Sequence, residues 1–143
     1  MDKLNIINEF RGKYFFLSNY YNCPITYKNL TYQNTEAAFH AQKDISRCLE
    51  FINLNPAEAK KLGRKVRLRK DWESVKDQIM YEIVKNKFEQ NPYLITQLLA
   101  TGNATLIEGN TWHDTYWGVD IHTGIGQNKL GKILMEIRKQ YQK

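Results

Sequence analysis

YQNTEAAFHAQK, residues 32–43, is the stretch of sequence that carries the most weight for the fold. The side chain of Asn34 or Thr35 can accept a hydrogen bond from the first free N–H groups of a helix. The small and apolar residues that follow suit close packing against neighbouring elements. The stretch therefore predicts a helix that begins near Glu36 and runs to about residues 48–49.

Four side chains of this helix follow the i, i+3, i+4, i+7 spacing that places them on one face: Glu36, Phe39, His40 and Lys43. Glu36 and Lys43 lie about two turns apart, roughly 10.5 Å along the axis, so together they can bracket a small sugar. The alternative is an ordinary solvated helix face, and periodicity alone favours that interpretation.

Capping residues and apolar periodicity predict further helices. Asn55 and Pro56 open a short helix, which Gly63 ends in a left-handed conformation. Asp71 is placed to cap a long helix that ends near Asn91.

Two more helices are predicted, over residues 92–102 and from near Asn128 onward, with Arg138 towards the outer side of the last one. Short strands are expected within residues 6–32, 106–107 and 116–121. These strands do not alternate with helices as a parallel sheet requires. The sequence therefore predicts one helix-dominated α+β domain over residues 1–143, with a few short strands.

Composition limits the classes of protein to consider. The chain has 143 residues and a formal net charge of +6, which favours phosphorylated or polyanionic ligands. No apolar run approaches the roughly 18 residues that span a bilayer, so we expect no membrane partner. The N-terminus lacks the features of a secretory signal, which predicts a cytoplasmic location. Cys23 and Cys48 have no metal-ligand spacing and are expected to be reduced thiols.

Two segments hold candidate binding residues. In GRKVRLRKDW, residues 63–72, basic residues alternate as in a phosphate-facing strand, and arginine forks bind phosphate well. A solvated basic edge is the alternative, and Trp72 would offer a ring face to a base or ribose. In FRGKYFFLSNYY, residues 10–21, backbone amides and Asn19 can meet a ligand, although an aromatic hairpin fits the pattern equally.

The segment LIEGNTWHDTYWG, residues 106–118, concentrates carboxylates and tryptophans in the way sites require. His113 beside Asp114 lacks the surrounding motifs of a triad or a metal site, so we expect no metal and no cofactor. The glycine-rich loop before Asn128 can hold an anion on its free amides, although a plain turn is the favoured interpretation.

Seven segments in this order resemble the NADAR (YbiA-like) family: FRGKYFFLSNYY, YQNTEAAFHAQK, GRKVRLRKDW, KFEQNP, LLATG, LIEGNTWHDTYWG and GIGQNKLGKILMEIR. The resemblance spans residues 10–138 and implies a YbiA-like fold. It also implies an N-glycosidase, a hydrolase that cleaves the bond between a phosphorylated ribose and an exocyclic amine of a base. The implied substrates are ADP-ribosylated guanine in DNA or RNA, where cleavage reverses ADP-ribosylation, or early riboflavin-pathway intermediates.

The resemblance also assigns roles to residues. Lys43 is the candidate nucleophile, and its pKa must be lowered by burial or by a cation such as Arg64 or Arg69. Glu36 would transfer protons and Asp114 would be a second catalytic carboxyl, and direct attack by water is an open alternative to the lysine route. The implied substrate-binding residues are Gly12, Ser18, Asn19, Arg64, Arg69, Trp72, Trp117 and Asn128.

Two rival functions stay open. A non-catalytic module that binds ADP-ribose or nucleic acid would use the same charge and aromatics. A structural protein that acts through contact alone is the other rival. His40 stands where the resemblance implies a glutamine, which bears on base specificity rather than on the class of reaction. Oligomeric state is not encoded in any feature described above.

Overall fold

Helices make up most of the regular structure in the computed structural model, which describes residues 5–142. The α-helices of these residues are α1 (Thr35–Ala41), α2 (Pro56–Gly63), α3 (Trp72–Gln90), α4 (Pro92–Leu99) and α5 (Lys129–Tyr141). Two 3-10 helices cover Gly12–Leu17 and Ile45–Phe51. The strands are β1 (Ile6–Ile7), β2 (Asn22–Tyr27), β3 (Leu30–Asn34), β4 (Thr105–Leu106), β5 (Gly109–Asn110) and β6 (Val119–Asp120). The predicted helix-dominated α+β class is confirmed.

The strands of residues 5–142 form three separate pairs: β1 with β4 and β5 with β6 in parallel, and β2 with β3 in antiparallel. The β2–β3 hairpin turns through Lys28 and Asn29, which both have positive φ, 49° and 71°. Two positive φ angles in a two-residue loop match the right-handed twist of the flanking strands.

The chain forms two compact units, one over residues 19–92 and the other over residues 5–18 and 93–142 among those described. The first contains β2, β3 and α1 to α3. The second contains the remaining strands, α5 and most of α4. The expectation of a single domain over residues 1–143 stays a prediction, and residues 1–4 and 143 of that range lie outside the described residues.

In the unit of residues 19–92, α1 packs closely against its neighbours because its buried positions are small. Ala37, Ala38 and Ala41 have no exposed surface. Ile25 of β2 and Ile83 of α3 are also fully buried, and each such aliphatic side chain contributes about 1.5–3 kcal/mol relative to an exposed one. This packing fixes α1 and therefore the side chains that it carries.

Helix α1 ends at Ala41, about seven residues before the predicted end, so that prediction is wrong. The cause is Asp44, whose backbone is extended with φ −146° and ψ 93°. Its carboxylate accepts hydrogen bonds from the backbone N–H of Ser46, at 3.2 Å, and from the Ser46 hydroxyl, at 2.6 Å. Asp44 thereby caps a new 3-10 helix instead of continuing α1.

Helix α2 matches its prediction at the start and differs at the end. The side chain of Asn55 accepts from the N–H of Glu58, and the Glu58 carboxylate accepts from the N–H of Asn55, which is a complete capping box. Gly63 is the last residue of α2 and does not have a positive φ. Glycine is required there for a different reason, because an added Cβ would lie 2.5 Å from Nδ1 of His40.

Two further local features concern residues 12–17 and Asp71. Residues 12–17 form a 3-10 helix that begins at Gly12 with φ +58°, so the aromatic hairpin that the sequence left open as an alternative does not form there. Asp71 precedes α3 as predicted, but its side chain makes no capping hydrogen bond to the helix.

Lys87 of α3 is a cation inside the core of its unit. Only 1% of the residue is exposed, and its Nζ lies 5.6 Å from the ring centroids of both Tyr21 and Phe88. Burial disfavours the charged form and lowers the pKa of Lys87 to about 8, from an ordinary value of 10.5.

We predict that Lys87→Met removes a pH-dependent component of stability. Between pH 8 and 10.5 the unfolded chain binds more protons at this lysine than the folded chain, so the wild type gains stability as pH rises through that window. The gain relative to Lys87→Met is on the order of 3 kcal/mol. Urea unfolding of both proteins at pH 7.5, 9 and 10.5 measures the free energy of unfolding. If this free energy changed with pH in the same way in both proteins, the prediction would be contradicted.

No helix within residues 5–142 has both the length and the apolar character needed to cross a bilayer.

Candidate functional site

Glu36 is fixed at the first turn of α1 by the residues around it. The side chain of Asn34 caps the helix by accepting from the N–H of Ala37 at 2.7 Å, as predicted. The N–H of Glu36 itself donates to the backbone carbonyl of Asn19 at 3.2 Å. The Glu36 side chain is only 12% exposed, so its carboxylate does not project into bulk solvent.

Lys43 lies just beyond the end of α1 and is held by two backbone hydrogen bonds. Its N–H donates to the carbonyl of His40 at 3.2 Å, and its own carbonyl accepts from the N–H of Arg69 at 2.9 Å. Its Nζ lies 5.9 Å from the ring centroid of Trp72. The side chain is partly buried between α1 and the chain that leads into α3.

The environment of Lys43 lowers the pKa of its amine, as the proposed nucleophilic role requires. Burial is the main cause, and it outweighs the negative charge of Glu36, which acts in the opposite direction. The positive charges of Arg64 and Lys76 lower the pKa further. Of the two cations that the sequence suggested, Arg64 is therefore confirmed as one contributor.

Arg69 has a different partner. Its guanidinium donates to both carboxylate oxygens of Asp71, at 2.6 and 3.0 Å. Residues 64–70 form turns and irregular chain rather than the predicted phosphate-facing strand, because Arg64 still belongs to the end of α2. Arg64 is exposed, so of the two arginines it is the one with its guanidinium open to an anion.

Trp72 is buried beneath Lys43. It is 5% exposed, and its ring centroid lies 5.0 Å from that of Phe39. A buried indole offers little surface to a base, so packing under Lys43 explains Trp72 better than the predicted stacking role does. The ring face also attracts the lysine cation.

Two buried oxygens at the start of α1 have no hydrogen-bond partner among the described residues. They are Oδ1 of Asn19 and Oγ1 of Thr35. The amide nitrogen of Asn19 makes a weak contact with the sulfur of Met80 at 3.7 Å. Buried polar groups are almost always satisfied, so these two oxygens are suited to accept from a ligand hydroxyl or amine. The binding role of Asn19 stays a prediction.

The other predicted residues belong to the unit of residues 5–18 and 93–142. Ser18 ends the first 3-10 helix, and its N–H donates to the carbonyl of Phe15 at 2.9 Å. Trp117 is partly exposed and meets the ring of Tyr116 edge to face, with centroids 4.9 Å apart. The binding roles of Gly12, Ser18 and Trp117 stay predictions.

Asp114 organises its own loop. Its Oδ1 accepts from the N–H groups of Tyr116 and Trp117, both at 3.0 Å, and the Asn110 side chain bonds to both its N–H and its carbonyl. Such an arrangement is a turn closed by an aspartate side chain. It gives Asp114 a structural role, and the predicted catalytic role stays a prediction.

Asn128 has a structural role as well. It precedes α5 in the left-handed region, with φ 52°, and its side chain does not cap the helix. Instead its Oδ1 accepts from the N–H of Glu108 at 3.0 Å, and its Nδ2 donates to the carbonyl of Leu106 at 2.9 Å. These bonds join the start of α5 to the chain after β4, so substrate binding is not needed to explain the residue.

His113 pairs with a carboxylate other than its neighbour in sequence. Its Nδ1 lies 2.6 Å from Oδ2 of Asp120, and this contact helps to lower the pKa of Asp120. Residues 5–142 contain no group of three or more His, Cys, Asp or Glu side chains arranged to hold a metal ion.

The structure brings two further residues to this site, His40 and Lys76, neither of which was predicted to act on Glu36 or Lys43. Nε2 of His40 lies 3.1 Å from Oε2 of Glu36. The positive charge of Lys76 on α3 helps to lower the pKa of Lys43. Its ammonium lies 2.7 Å from the Glu73 carboxylate, and its side chain is 16% exposed. Lys76 stands four residues after Trp72, on the same helix face, and that spacing is the signal that could have identified it.

Comparisons with known proteins agree on one family and one fold. The sequence profile of the family described as NADAR domain matches residues 7–142. N-glycosidase YbiA of Escherichia coli (strain K12) is 42% identical over 128 residues, which are 86% of this chain and 79% of that protein. A riboflavin biosynthesis protein of Vibrio vulnificus (strain YJ016) is 39% identical over 89% of this chain, but over only 35% of its own length. The NMR structure of the E. coli protein YbiA has a TM-score of 0.83 at 38% identity, covering 97% of this chain and 86% of that one.

Proposed function

This chain belongs to the NADAR family, and from that premise we propose that it is an N-glycosidase that releases a base from a phosphorylated ribose. The two names carried by its relatives, N-glycosidase and riboflavin biosynthesis protein, support this class of reaction. The finer part of the proposal is the bond cleaved, which joins the anomeric carbon to an exocyclic amine.

One observation carries the proposal: a lysine amine with a lowered pKa shares one compact unit with a largely buried carboxylate. The amine is that of Lys43, and the carboxylate is that of Glu36, which acts on the charge of Lys43. A lysine whose pKa is lowered by burial, beside a specific charge partner, is typical of nucleophilic sites.

The chemistry follows from an N-glycoside whose nitrogen carries a proton. The nitrogen lone pair expels the ring oxygen, which takes a proton from Glu36, and an open-chain imine forms at the anomeric carbon. The neutral amine of Lys43 adds to this carbon, and the base amine then leaves with a proton, so that one imine replaces another. Water hydrolyses the lysine imine and releases the sugar phosphate.

Side chains of this unit supply partners for the substrate groups. Arg64 would bind a phosphate, because its side chain is exposed. Its positive charge also acts on the amine of Lys43. The unpartnered oxygens of Asn19 and Thr35 would accept from ribose hydroxyls or from the base amine. Both guanine-linked ADP-ribose and the phosphoribosylaminouracil intermediate of riboflavin synthesis present these groups.

Incubation of the protein with each of these two compounds tests the function. We expect a free sugar phosphate or ADP-ribose together with the free base amine, detected by mass spectrometry. Binding of either compound without release of product would replace the proposal with the non-catalytic binding module. Cleavage of one compound at a much higher kcat/KM would identify the class of substrate.

We predict that Asp114→Asn changes turnover by less than about fivefold, in contrast to the loss of 10²-fold or more when a catalytic proton donor is removed. The amide oxygen of asparagine can still accept from the N–H groups of Tyr116 and Trp117, so the loop is preserved. Steady-state kinetics and far-UV circular dichroism check both points. A large loss of kcat with intact folding would show instead that Asp114 acts as a second catalytic carboxyl group.

A further inference from the structure

His40 forms a hydrogen bond with the Glu36 carboxylate, and the reaction proposed above does not use it. Its Nε2 lies 3.1 Å from Oε2 of Glu36, one turn earlier on α1. The two side chains are 10% and 12% exposed, so the contact is largely shielded from water. A hydrogen bond to a carboxylate in such surroundings fixes the orientation of the carboxylate strongly.

The opposite ring nitrogen of His40 is enclosed. Its Nδ1 is buried and has no hydrogen-bond partner among the described residues. Gly63 of α2 closes this side so tightly that a Cβ there would lie 2.5 Å from Nδ1 and 2.8 Å from Cγ. The ring of Phe39, with its centroid 5.5 Å away, lies beside the imidazole. The imidazole is therefore held in one orientation by its packing.

These surroundings determine which nitrogen carries the proton. A proton on Nδ1 would be a buried donor with no acceptor, whereas a proton on Nε2 meets a carboxylate. The tautomer with its proton on Nε2 is therefore favoured over the one with its proton on Nδ1, and Nε2–H donates to Oε2 of Glu36.

We propose that His40 is the positioning residue for Glu36: it binds Oε2 and thereby leaves Oε1 as the oxygen that transfers protons to the substrate. This inference rests on the proposed N-glycosidase function. Among residues 5–142 the Glu36 carboxylate has one hydrogen bond, at Oε2, and the backbone N–H of Glu36 donates to the carbonyl of Asn19. The pair of His40 and Gly63 thus acts on the reaction through the carboxylate without touching the substrate.

Two single variants separate positioning from packing. His40→Leu replaces the imidazole with an apolar side chain of similar size and so removes the hydrogen-bond donor. His40→Gln replaces Nε2–H with an amide N–H. We expect His40→Leu to lower kcat and kcat/KM together by about 10- to 100-fold, as for other residues that orient a catalytic group. His40→Gln should keep kcat within about threefold of the wild type. A His40→Leu protein with wild-type kcat would overturn the proposal.

Gly63→Ala tests the positioning role of His40 by a substitution on α2, the helix that packs against the imidazole. The new methyl group must displace the imidazole, and the backbone at residue 63 accepts alanine because its φ is not positive. We expect kcat to fall about tenfold while KM changes little. In a His40→Ala background the two closest ring contacts are gone and the remaining close contact is the Cβ of residue 40, at 3.0 Å, so adding Gly63→Ala should have little further effect on kcat. Additive losses in the double variant would overturn the proposal.

Nitrogen NMR of the resting protein gives a readout that does not depend on activity. Two-bond nitrogen–proton spectra of the imidazole should show His40 protonated on Nε2 and unprotonated on Nδ1 at neutral pH. A proton on Nδ1 would overturn the proposal even if the enzyme is active. If the wild type cleaves neither substrate, the proposed function fails, and the NMR result then decides the His40–Glu36 hydrogen bond by itself.

Discussion

Glu36→Gln is expected to fold normally and to lose about 10²-fold or more in turnover. The amide has the same shape as the carboxylate, and its oxygen can still accept from Nε2 of His40, which lies 3.1 Å from the present carboxylate. What the variant loses is the ability to give and take a proton at physiological pH. The loss should therefore appear in kcat, with the melting temperature unchanged.

A matched control for this variant is Glu89→Gln. Glu89 is exposed near the end of α3 and pairs with Lys85 at 3.4 Å, so the substitution removes a surface carboxylate of the same type. Surface pairs of this kind contribute about 0–1 kcal/mol to stability. Steady-state kinetics should show wild-type turnover for Glu89→Gln. If Glu36→Gln turned over at a similar rate, Glu36 would not be the proton-transfer group.

Predictions based on neighbouring residues were the most accurate ones. The caps at Asn34 and Asn55 were visible in the sequence because each side chain bonds to an N–H three residues later. Arg69 and Asp71 are equally close in sequence, and they bond to each other. This pair competes with the phosphate binding predicted for Arg69 and with the helix capping predicted for Asp71. A local pattern shows which bonds are possible and not which one forms.

Features that depend on distant parts of the chain could not be predicted. Arg138 was expected towards the outer side of α5, but it is 6% exposed and donates to the Thr101 hydroxyl and the Ala104 carbonyl. These partners are more than 30 residues away in sequence. Gly63 is similar, since its requirement for glycine comes from the imidazole of His40 on another helix. Long-range packing therefore decides the roles of these residues.

The resemblance to a family supplied what periodicity could not. The spacing of Glu36 and Lys43 alone favoured an ordinary solvated helix face. The structure shows instead that Lys43 lies outside α1, where the backbone of Arg69 holds it beside Trp72. The hypothesis of one continuous helix face was wrong in detail, although both side chains belong to the same compact unit. Burial of Lys43, rather than helical register, is what makes it a candidate nucleophile.

Lys43→Met is expected to reduce turnover by at least about 10³-fold if the lysine forms a covalent imine, because no other group can replace the nucleophile. Methionine fills similar space against Trp72, so the fold should be retained. Lys85→Met is the matched control, since Lys85 is partly exposed on α3 and pairs with Glu89 at the surface. A Lys43→Met enzyme with turnover within about tenfold of the wild type would establish direct attack by water instead.

Borohydride and pH dependence test the same step in the intact enzyme. Reduction during turnover should attach the opened sugar to Lys43, and peptide mass spectrometry should find no adduct in Lys43→Met.

The kcat/KM profile should rise as Lys43 loses its proton, at a pH below the ordinary lysine pKa of 10.5. Removing the charge in Arg64→Gln raises the pKa of Lys43 and should move this rise to higher pH, because Arg64 favours the neutral amine. A wild-type profile that rises only at pH 10.5 or above would contradict a Lys43 nucleophile with a lowered pKa.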